Sequence, residues 1–403
     1  MKTVLFLGAG RHQRAAINQA KAMGFRVAAF DGKPGAVALG DADIGEVVDF
    51  SDIDAAIEAA RRIEPDGVLT ITADRAVPVV AKIAEALGLP GIGADVALGL
   101  TNKVVMRTRL EAAGLPQASF GSARTLEEAI AAAPGYPCVI KPADSGGQRG
   151  VFKVESQAEL EARFPAALAA SPGGEVIVEE FLDGIEMNAM AIVREGEVIP
   201  LTVSDRLRPP GEGFAVGWIH AYPAAGLNGN GLGGVDELVV KIVEALGLKN
   251  GIAFPQLMSM ADGSVRVVEV AARIPGGQMA DLVRHAVGVD LVEVALRQAL
   301  GEEIPDELCK PKFRTPTAVR FFTAQPGPLP TGKVLGVGSL DKVLAAPGAV
   351  QAENYILPGE TIRPVRVDGD RRGYVIATGA NGPDALARAE AAAALVEVEV
   401  EAS

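Results

Sequence analysis

The sequence is poor in aromatic residues, cysteine and positive charge, and each shortage excludes a class of protein. Aromatic residues make up 4% of the 403 residues, and the formal net charge is −13. Because nucleic-acid binding depends on lysine and arginine, we expect no nucleic-acid partner for so acidic a chain. Cys138 and Cys309 are the two cysteines. They are too few for a disulfide framework, which favours a reducing, cytoplasmic location.

Long hydrophobic runs are also missing. No segment approaches the ~18 apolar residues of a membrane span. The chain opens on the strand-like run Val4–Leu7, without the basic segment and long apolar stretch of a secretory leader. We therefore expect no membrane partner. The hydrophobic fraction of 49% and the charged fraction of 22% are typical of a globular protein, and the length favours two to four modules.

The first 95 residues alternate short apolar runs with helical patterns. The strand candidates are Thr3–Leu7, Arg26–Phe30, Glu46–Phe50 and Gly67–Thr72, and the helix candidates are Gln13–Met23, Ile53–Ile63 and Val77–Leu87. Alternation of strands and helices at this spacing predicts a parallel sheet with right-handed crossovers.

A glycine turn follows the first strand. The run Gly8-Ala9-Gly10 resembles the start of a dinucleotide-binding motif, but Gln13 stands where that motif has a third glycine. A tight strand-to-helix turn is therefore the favoured interpretation. Asp31 follows the second strand, and two roles are open for it. It binds a ribose hydroxyl, or it caps the turn Gly32–Gly35.

Beyond Pro116 the pattern changes to an α+β one with hairpins. From Pro311 onward, clusters of proline and glycine predict a small strand-rich module that ends in a helix over 383–396. The acidic stretch Val396–Ser403 is predicted to be a solvated tail.

Two lysines and a glycine-rich loop are placed to bind an anion. Lys103 begins an amphipathic helix, and Lys141 ends an apolar strand. The run from Ser145 to Gly150 follows at once, and its glycines let backbone N–H groups approach phosphate oxygens closely. Lysine serves in such sites as a point charge. The alternative for the glycines is a flexible hairpin turn.

Two later segments carry carboxylates. The strand that includes Glu179 and Glu180 leads into a turn with Leu182 and Glu186, which can present acceptors to an adenine amine and to ribose hydroxyls. Glu269 lies near the end of another strand, where a carboxylate makes a good Mg²⁺ ligand. The alternative for Glu269 is an ion pair with Arg266 or Arg273.

In their order and spacing, these motifs resemble those of the ATP-grasp family, and most closely the bacterial L-amino-acid ligases. The resemblance covers essentially the whole chain and implies an α/β and α+β multidomain fold. Residues 1–95 would form a Rossmann-like preceding domain, 96–310 the ATP-grasp domain, and 311–403 a small C-terminal strand-rich module.

The resemblance also implies roles for individual residues, with ATP and Mg²⁺ or Mn²⁺ as cofactors. The ATP-binding set would be Lys103, Lys141, Ser145, Gly146, Gly147, Gly150, Glu179, Glu180, Leu182 and Glu186. The metal ligands would be Glu269 and Gln256, the catalytic residues Arg273, Lys141 and His220, and the substrate-binding residues His220, Arg273, Gly276 and Gly277.

Two positions depart from the family pattern. Gln256 stands where the family usually has a second acidic metal ligand, and its amide oxygen brings no charge. Ala271 stands where many members have asparagine, although the amino-acid ligases resemble this chain there. These departures place the second metal ion in question.

The implied reaction is formation of an amide or peptide bond between a small carboxylic acid and an amine through an acyl phosphate, by a homodimeric enzyme. Two alternatives are open. One is a purine-pathway, bicarbonate- or formate-activating ligase, which would need a second phosphate-binding patch. The other is a nucleotide-binding regulatory protein that has lost catalysis, for which Gln256 is the feature in favour.

Overall fold

The computed structural model describes residues 1–210, 216–225 and 231–401, and its strands form four sheets. None of the helices in these ranges is both long and apolar enough to cross a lipid bilayer.

The N-terminal sheet is parallel, with strand order β3-β2-β1-β4, as the sequence pattern predicts. Its elements are β1 (Thr3–Leu7), α1 (Arg11–Ala22), β2 (Arg26–Asp31), β3 (Ile44–Val47), α2 (Ile53–Ile63), β4 (Gly67–Leu69) and α3 (Val77–Leu87). In β1, Val4 and Phe6 pack into one hydrophobic cluster, and Leu5 and Leu7 into another. A strand covered on both faces has a continuous apolar sequence, and this is why the sequence pattern predicted β1. The Rossmann-like assignment stays a prediction.

The glycine turn after β1 is a structural turn. Asp31 accepts hydrogen bonds from the backbone N–H groups of Ala9 and Lys33, each at 2.9 Å. Gln13 donates to the backbone oxygen of Ile71 at 2.7 Å and to Thr72 Oγ1 at 2.6 Å. Both side chains therefore hold the loops at the end of this sheet, which favours the capping interpretation of Asp31.

A second, antiparallel sheet has the order β5-β8-β6-β7. The elements of this region are α4 (Ala94–Thr101), α5 (Lys103–Ala112), β5 (Phe120–Ala123), α6 (Leu126–Ala132), β6 (Cys138–Pro142), β7 (Phe152–Val154), α7 (Gln157–Ala169) and β8 (Val176–Glu180). Cys138 is fully buried, in agreement with a structural thiol.

The largest sheet has eight strands in the order β13-β12-β9-β10-β11-β14-β18-β16. Its strands are β9 (Gly184–Arg194), β10 (Glu197–Leu207), β11 (Ile219–Tyr222), β12 (Gly251–Met260), β13 (Val265–Ala272), β14 (Thr317–Phe321), β16 (Ala349–Asn354) and β18 (Gly373–Thr378). Strands from both sides of residue 310 thus share one sheet. The predicted domain boundaries stay predictions.

The remaining strands form a small sheet, and helices complete the fold. They are α8 (Gly231–Leu246), α9 (Met279–Val287), α10 (Leu291–Ala299), α11 (Asp306–Cys309), β15 (Gly332–Val337), α12 (Asp341–Leu344), β17 (Thr361–Ile362), α13 (Gly382–Ala393) and β19 (Val398–Val400). The prediction of a solvated tail is wrong for Val398–Val400, because this segment pairs with β15. Residues 402–403 lie outside the described ranges.

Candidate active site

Most of the predicted ATP and metal residues line one cavity of about 180 Å³. It lies where α5 begins and where β6 and β8 end, and residues of the paired strands β12 and β13 form another part of its wall. The predicted residues in its lining are Lys103, Lys141, Ser145, Gly146, Gly147, Glu179, Glu180, Leu182, Glu186, Gln256 and Glu269. Segments far apart in sequence therefore converge on one site.

A buried charge network forms one wall of this cavity. Glu179 pairs with Arg107 at 2.8 Å and with Lys141 at 2.7 Å, and the exposed fractions of the three side chains are 5%, 1% and 9%. Burial opposes ionisation of Glu179, but Arg107 and Lys141 outweigh it and lower its pKa to about 2. The sequence analysis did not predict that Arg107 lies at this site. Arg107 is four residues after Lys103, so the two side chains lie on the same face of α5, and this spacing could have indicated it.

Lys103 connects the glycine loop to the candidate metal ligand. Its Nζ donates to the backbone oxygen of Ser145 at 2.9 Å and lies 3.1 Å from Glu269 Oε1. Burial lowers the pKa of Lys103, but Glu269 more than compensates, so the pKa is raised. The Oγ of Ser145 is buried with no hydrogen-bond partner among the described residues. An anion in the cavity would give this hydroxyl an acceptor.

The alternative reading of Glu269 as a partner of Arg266 or Arg273 is wrong. Arg266 pairs with Glu180 at 2.9 Å, and Arg273 pairs with Asp74. Glu269 is 38% exposed and faces the cavity. Burial raises its pKa, but the neighbouring cations, Lys103 foremost, lower it overall, so the carboxylate is ionised.

Glu269 and Gln256 fit a magnesium ion shared with a nucleotide. They are paired residues of β13 and β12, and both line the cavity. Their donors are a carboxylate and an amide oxygen, the hard oxygen ligands that Mg²⁺ takes, and substrate phosphates and water complete such sites. No group of three or more histidine, cysteine or acidic residues suitable for a metal is found in the described ranges.

Glu186 also has partners that the sequence did not suggest. Its carboxylate lies 2.7 Å from Arg206 Nη1 and 3.7 Å from Arg208 Nε. All three residues line the cavity. The pairing of β9 with β10 brings Arg206 opposite this carboxylate.

Arg273 lies next to the cavity without lining it. Its Nε donates to Asp74 Oδ1 at 2.7 Å, and its side chain is 10% exposed. A Cβ on Gly146 would lie 2.7 Å from Asp74 Oδ2, so Asp74 touches the glycine loop as well. Burial raises the pKa of Glu269, and Arg273 helps to lower it, with a smaller effect than Lys103 and Lys141. Arg273 therefore belongs to the same electrostatic cluster.

Gly150 and His220 fall outside this cavity lining. Gly150 packs against the end of α7, where an added Cβ would lie 2.7 Å from Ala170 Cβ. His220 is buried beneath Gly277, and its Nδ1 faces the amide nitrogen of Asn188 at 3.2 Å. Burial, with Arg206 and Arg371, holds the pKa of His220 well below its usual value, so the ring is neutral.

The Gly276-Gly277 turn allows a direct test of the site's packing. Gly277 has φ +72°, and a Cβ there would lie 2.9 Å from His220 Nε2. We expect Gly277→Ala to lower the free energy of unfolding by about 1–2 kcal/mol through backbone strain, and more if His220 must move. Gly276→Ala is the matched control, because nothing lies within 4 Å of its Cβ position. Denaturant unfolding of both variants measures the difference, and equal losses would contradict the prediction.

A larger cavity lies elsewhere in the described part of the chain. It measures about 780 Å³ and is lined by residues of β4, α3, β12 and α10, with Arg273 at its wall. It contains none of the lysines or glycines of the phosphate site. The candidate site is therefore distinguished by its converging charged residues and not by its volume.

Two family models match this chain. The carbamoyl-phosphate synthase L chain ATP-binding domain matches residues 102–307, and L-amino acid ligase C-terminal domain 2 matches residues 320–401. The first match spans the predicted ATP-binding and metal residues.

Relatives match over most of the chain. Protein y4rH of Sinorhizobium fredii is 30% identical over 341 residues, covering 82% of this chain and 68% of that protein. A formate-dependent phosphoribosylglycinamide formyltransferase of Ignicoccus hospitalis is 27% identical and covers 98% of this chain and 95% of its own length. The crystal structure of the L-amino acid ligase from Bacillus licheniformis superposes with a TM-score of 0.83 at 21% identity, covering 100% and 99% of the two chains. At that identity the structural likeness concerns the fold.

Proposed function

The chain belongs to the ATP-grasp family of carboxylate–amine ligases, which use ATP and Mg²⁺, and we propose that it joins an amino acid to an amine as an amide or peptide. ADP and phosphate would be the other products. The observation that carries the proposal is the convergence of Lys103, Lys141, Glu269 and the glycine loop on one cavity. The match of residues 320–401 to an L-amino acid ligase domain supports an amino-acid substrate.

In the proposed chemistry, ATP activates the carboxylate, because an amine that attacked the free carboxylate would have to displace oxide, which is a very poor leaving group. A carboxylate oxygen attacks the γ-phosphorus of ATP, an O–P bond forms, and the bond to ADP breaks. The amine then attacks the acyl carbon, a C–N bond forms, and phosphate leaves. Lys103 and Lys141 would hold phosphate oxygens, and Arg273 would stabilise charge on the transferred phosphoryl group. Catalysis of this kind rests on positioning and electrostatic stabilisation.

Glu269 and Gln256 would hold Mg²⁺, which would neutralise phosphate charge. Gln256→Glu would place a second carboxylate across the strand pair from Glu269. We expect this variant to bind Mn²⁺, a spectroscopic substitute for Mg²⁺, about tenfold more tightly in the presence of ADP, because the added charge favours a divalent cation. Electron paramagnetic resonance of free Mn²⁺ measures the affinity without turnover. Unchanged affinity would show that Gln256 lies outside the metal site.

The proposal is tested by phosphate release. The protein with MgATP is assayed against a pairwise matrix of amino acids, and the products are identified by mass. ADP formation that depends on both partners, with a product of the combined mass less water, is the expected result. ATP binding without ADP formation across a broad panel of acids and amines would refute the proposal.

A second candidate is a formate-activating ligase of a phosphoribosyl amine. The formyltransferase of Ignicoccus hospitalis supports it by matching this chain over nearly its whole length. Formate with phosphoribosylglycinamide is therefore included in the assay, and saturation by this pair but not by amino acids would decide for it. A homodimer and the individual residue roles stay predictions.

A further inference from the structure

The cavity of about 780 Å³ lies apart from the phosphate site and has no role in the proposed reaction. Its volume falls within the range of about 300–1,000 Å³ that small-molecule sites occupy. Among the described residues, none lines both this cavity and the candidate ATP cavity. A ligand could therefore bind here while the nucleotide site is occupied.

The inner wall of this cavity is apolar. Its side chains come from β4, α3, β12 and the loop after β13, and they include Val68, Leu69, Val77, Ile252 and Ile274. Each of the five is at most 7% exposed. Because removing apolar surface from water is favourable, this wall favours a ligand with an apolar body.

The opposite wall carries an excess of negative charge. Five carboxylates and two guanidinium groups line the cavity, and they are Glu195, Glu197, Glu302, Glu303, Asp306, Arg194 and Arg273. Most of the carboxylates belong to the β9–β10 hairpin and to the segment that follows α10. A cleft lined by charge of one sign attracts ligands of the opposite sign.

Three of these carboxylates already have partners. Arg194 pairs with Glu197 at 2.9 Å and with Asp306 at 2.7 Å. Glu302 lies 3.2 Å from Lys2 Nζ. These ion pairs account for the charge of Arg194 and leave it unable to neutralise further groups.

The other two carboxylates are uncompensated. Glu195 and Glu303 are exposed and join no ion pair among the described residues. Their segments meet, because Arg194 donates Nη1 to the backbone oxygen of Ile304 at 3.1 Å. Arg273 pairs instead with Asp74. The hairpin end of the cavity therefore has two negative charges without a counter-charge.

A buried acceptor lies in the wall at the same end. Gln298 of α10 lines the cavity and donates Nε2 to the backbone oxygen of Val193 at 2.7 Å, next to Arg194. Its Oε1 is buried and has no hydrogen-bond partner among the described residues. A buried acceptor without a donor is destabilising, so a ligand N–H group at this position would be favoured.

We propose that this cavity is a binding site for a small organic cation, a ligand with an apolar body and a protonated amino group. The apolar body lies against the inner wall. The ammonium group lies at the end formed by Glu195, Glu303 and Gln298. An anion of the same size would meet the two uncompensated carboxylates and bind weakly. This site does not depend on the ligase function, because its residues are separate from those of the phosphate site.

The decisive comparison uses three probes that share a phenylethyl body and differ in charge. They are 2-phenylethylamine, 2-phenylethanol and 3-phenylpropionate, and calorimetry measures their binding to the full chain in saturating MgADP. We expect the amine to bind at least about tenfold more tightly than the alcohol, and the carboxylate more weakly than either, because a charged donor strengthens a hydrogen bond. Equal affinities for the amine and the alcohol would overturn the proposal, and so would loss of amine binding when MgADP is added.

Variants place the bound amine in this cavity. The double variant Glu195→Gln and Glu303→Gln should weaken binding of the amine about five- to tenfold and leave binding of the alcohol unchanged, since each exposed ion pair contributes modestly. Glu307→Gln is the matched control, because Glu307 is exposed on the same segment but does not line the cavity. Equal amine affinities for the double variant and the wild type would place the ligand elsewhere and contradict the proposal.

A second variant tests the apolar wall without changing charge. Ala295 of α10 lines the cavity, and Ala295→Leu should weaken binding of the amine and of the alcohol alike by at least about tenfold by filling the space. Ala295 is only partly buried, so the variant should fold. Unchanged binding to this variant would argue against occupation of the cavity. Amine binding without ADP formation from any acid and amine would refute the ligase function and leave this site standing.

Discussion

Arg273→Ala should reduce ADP formation by at least about 10²-fold, with KM for ATP changed less than kcat. The guanidinium is 10% exposed and lies beside the cluster of Lys103, Glu269 and the glycine loop. Removing one preorganised charge from the site of charge development typically costs 10²–10³-fold in turnover. Single-turnover measurement of ADP distinguishes a slower chemical step from weaker ATP binding.

The structure also indicates that this variant should fold. Asp74, which would lose its partner, is 33% exposed and can be solvated. Arg297→Ala is a suitable control, since Arg297 on α10 pairs with Glu293 in a partly exposed i,i+4 arrangement. Its turnover should match the wild type. ADP formation near the wild-type rate in Arg273→Ala would show that Arg273 does not act on the phosphoryl group.

Glu179→Gln should lower the free energy of unfolding by about 3–5 kcal/mol. The substitution leaves Arg107 and Lys141 buried without their shared counter-charge, and breaking a buried ion pair by removing one partner costs this much. Chemical denaturation monitored by circular dichroism gives the difference. The stability loss should accompany weaker ATP binding, because Lys141 lines the same cavity and would be free to move.

Glu180→Gln is the matched control for this prediction. Glu180 is the next residue, but it is 38% exposed and pairs with the 30% exposed Arg266. Exposed pairs of this kind contribute about 0–1 kcal/mol. A loss for Glu179→Gln no larger than that for Glu180→Gln would contradict the buried network.

The stability difference at position 179 should also depend on pH. Folding lowers the pKa of Glu179 from 4.5 to about 2. A carboxylate with a lowered pKa stabilises the fold above its unfolded pKa, and this stabilisation is lost as pH falls through the folded value. The gap between wild type and Glu179→Gln should therefore be constant above pH 4.5 and shrink between pH 4.5 and 2.

Local pattern was sufficient to predict much of this protein. β1 was predicted with its observed bounds because a parallel strand covered on both faces is continuously apolar, and α2 and α3 because their apolar residues recur at helical spacing. The order of the motifs at Lys103, Lys141 and Glu269 indicated the ATP-grasp ligases, and these three residues line one cavity in the structure.

Other features depended on contacts that no local pattern contains. The sequence predicted a solvated acidic tail, yet Val398–Val400 pairs with β15, because an edge strand was available to it. The sequence suggested Arg266 or Arg273 as the ion-pair partner of Glu269, because both are close in sequence. In the structure the partner is Lys103.

By itself, the sequence determined the parallel N-terminal sheet, the ordered phosphate and metal motifs, and through them the family. Tertiary structure alone decided how the charges are paired: Arg273 finds Asp74, 199 residues away, and Arg107 finds Glu179, 72 residues away. The physical reason is that periodicity and turn chemistry act over a few residues, whereas ion pairs and cavities form where the chain returns to itself.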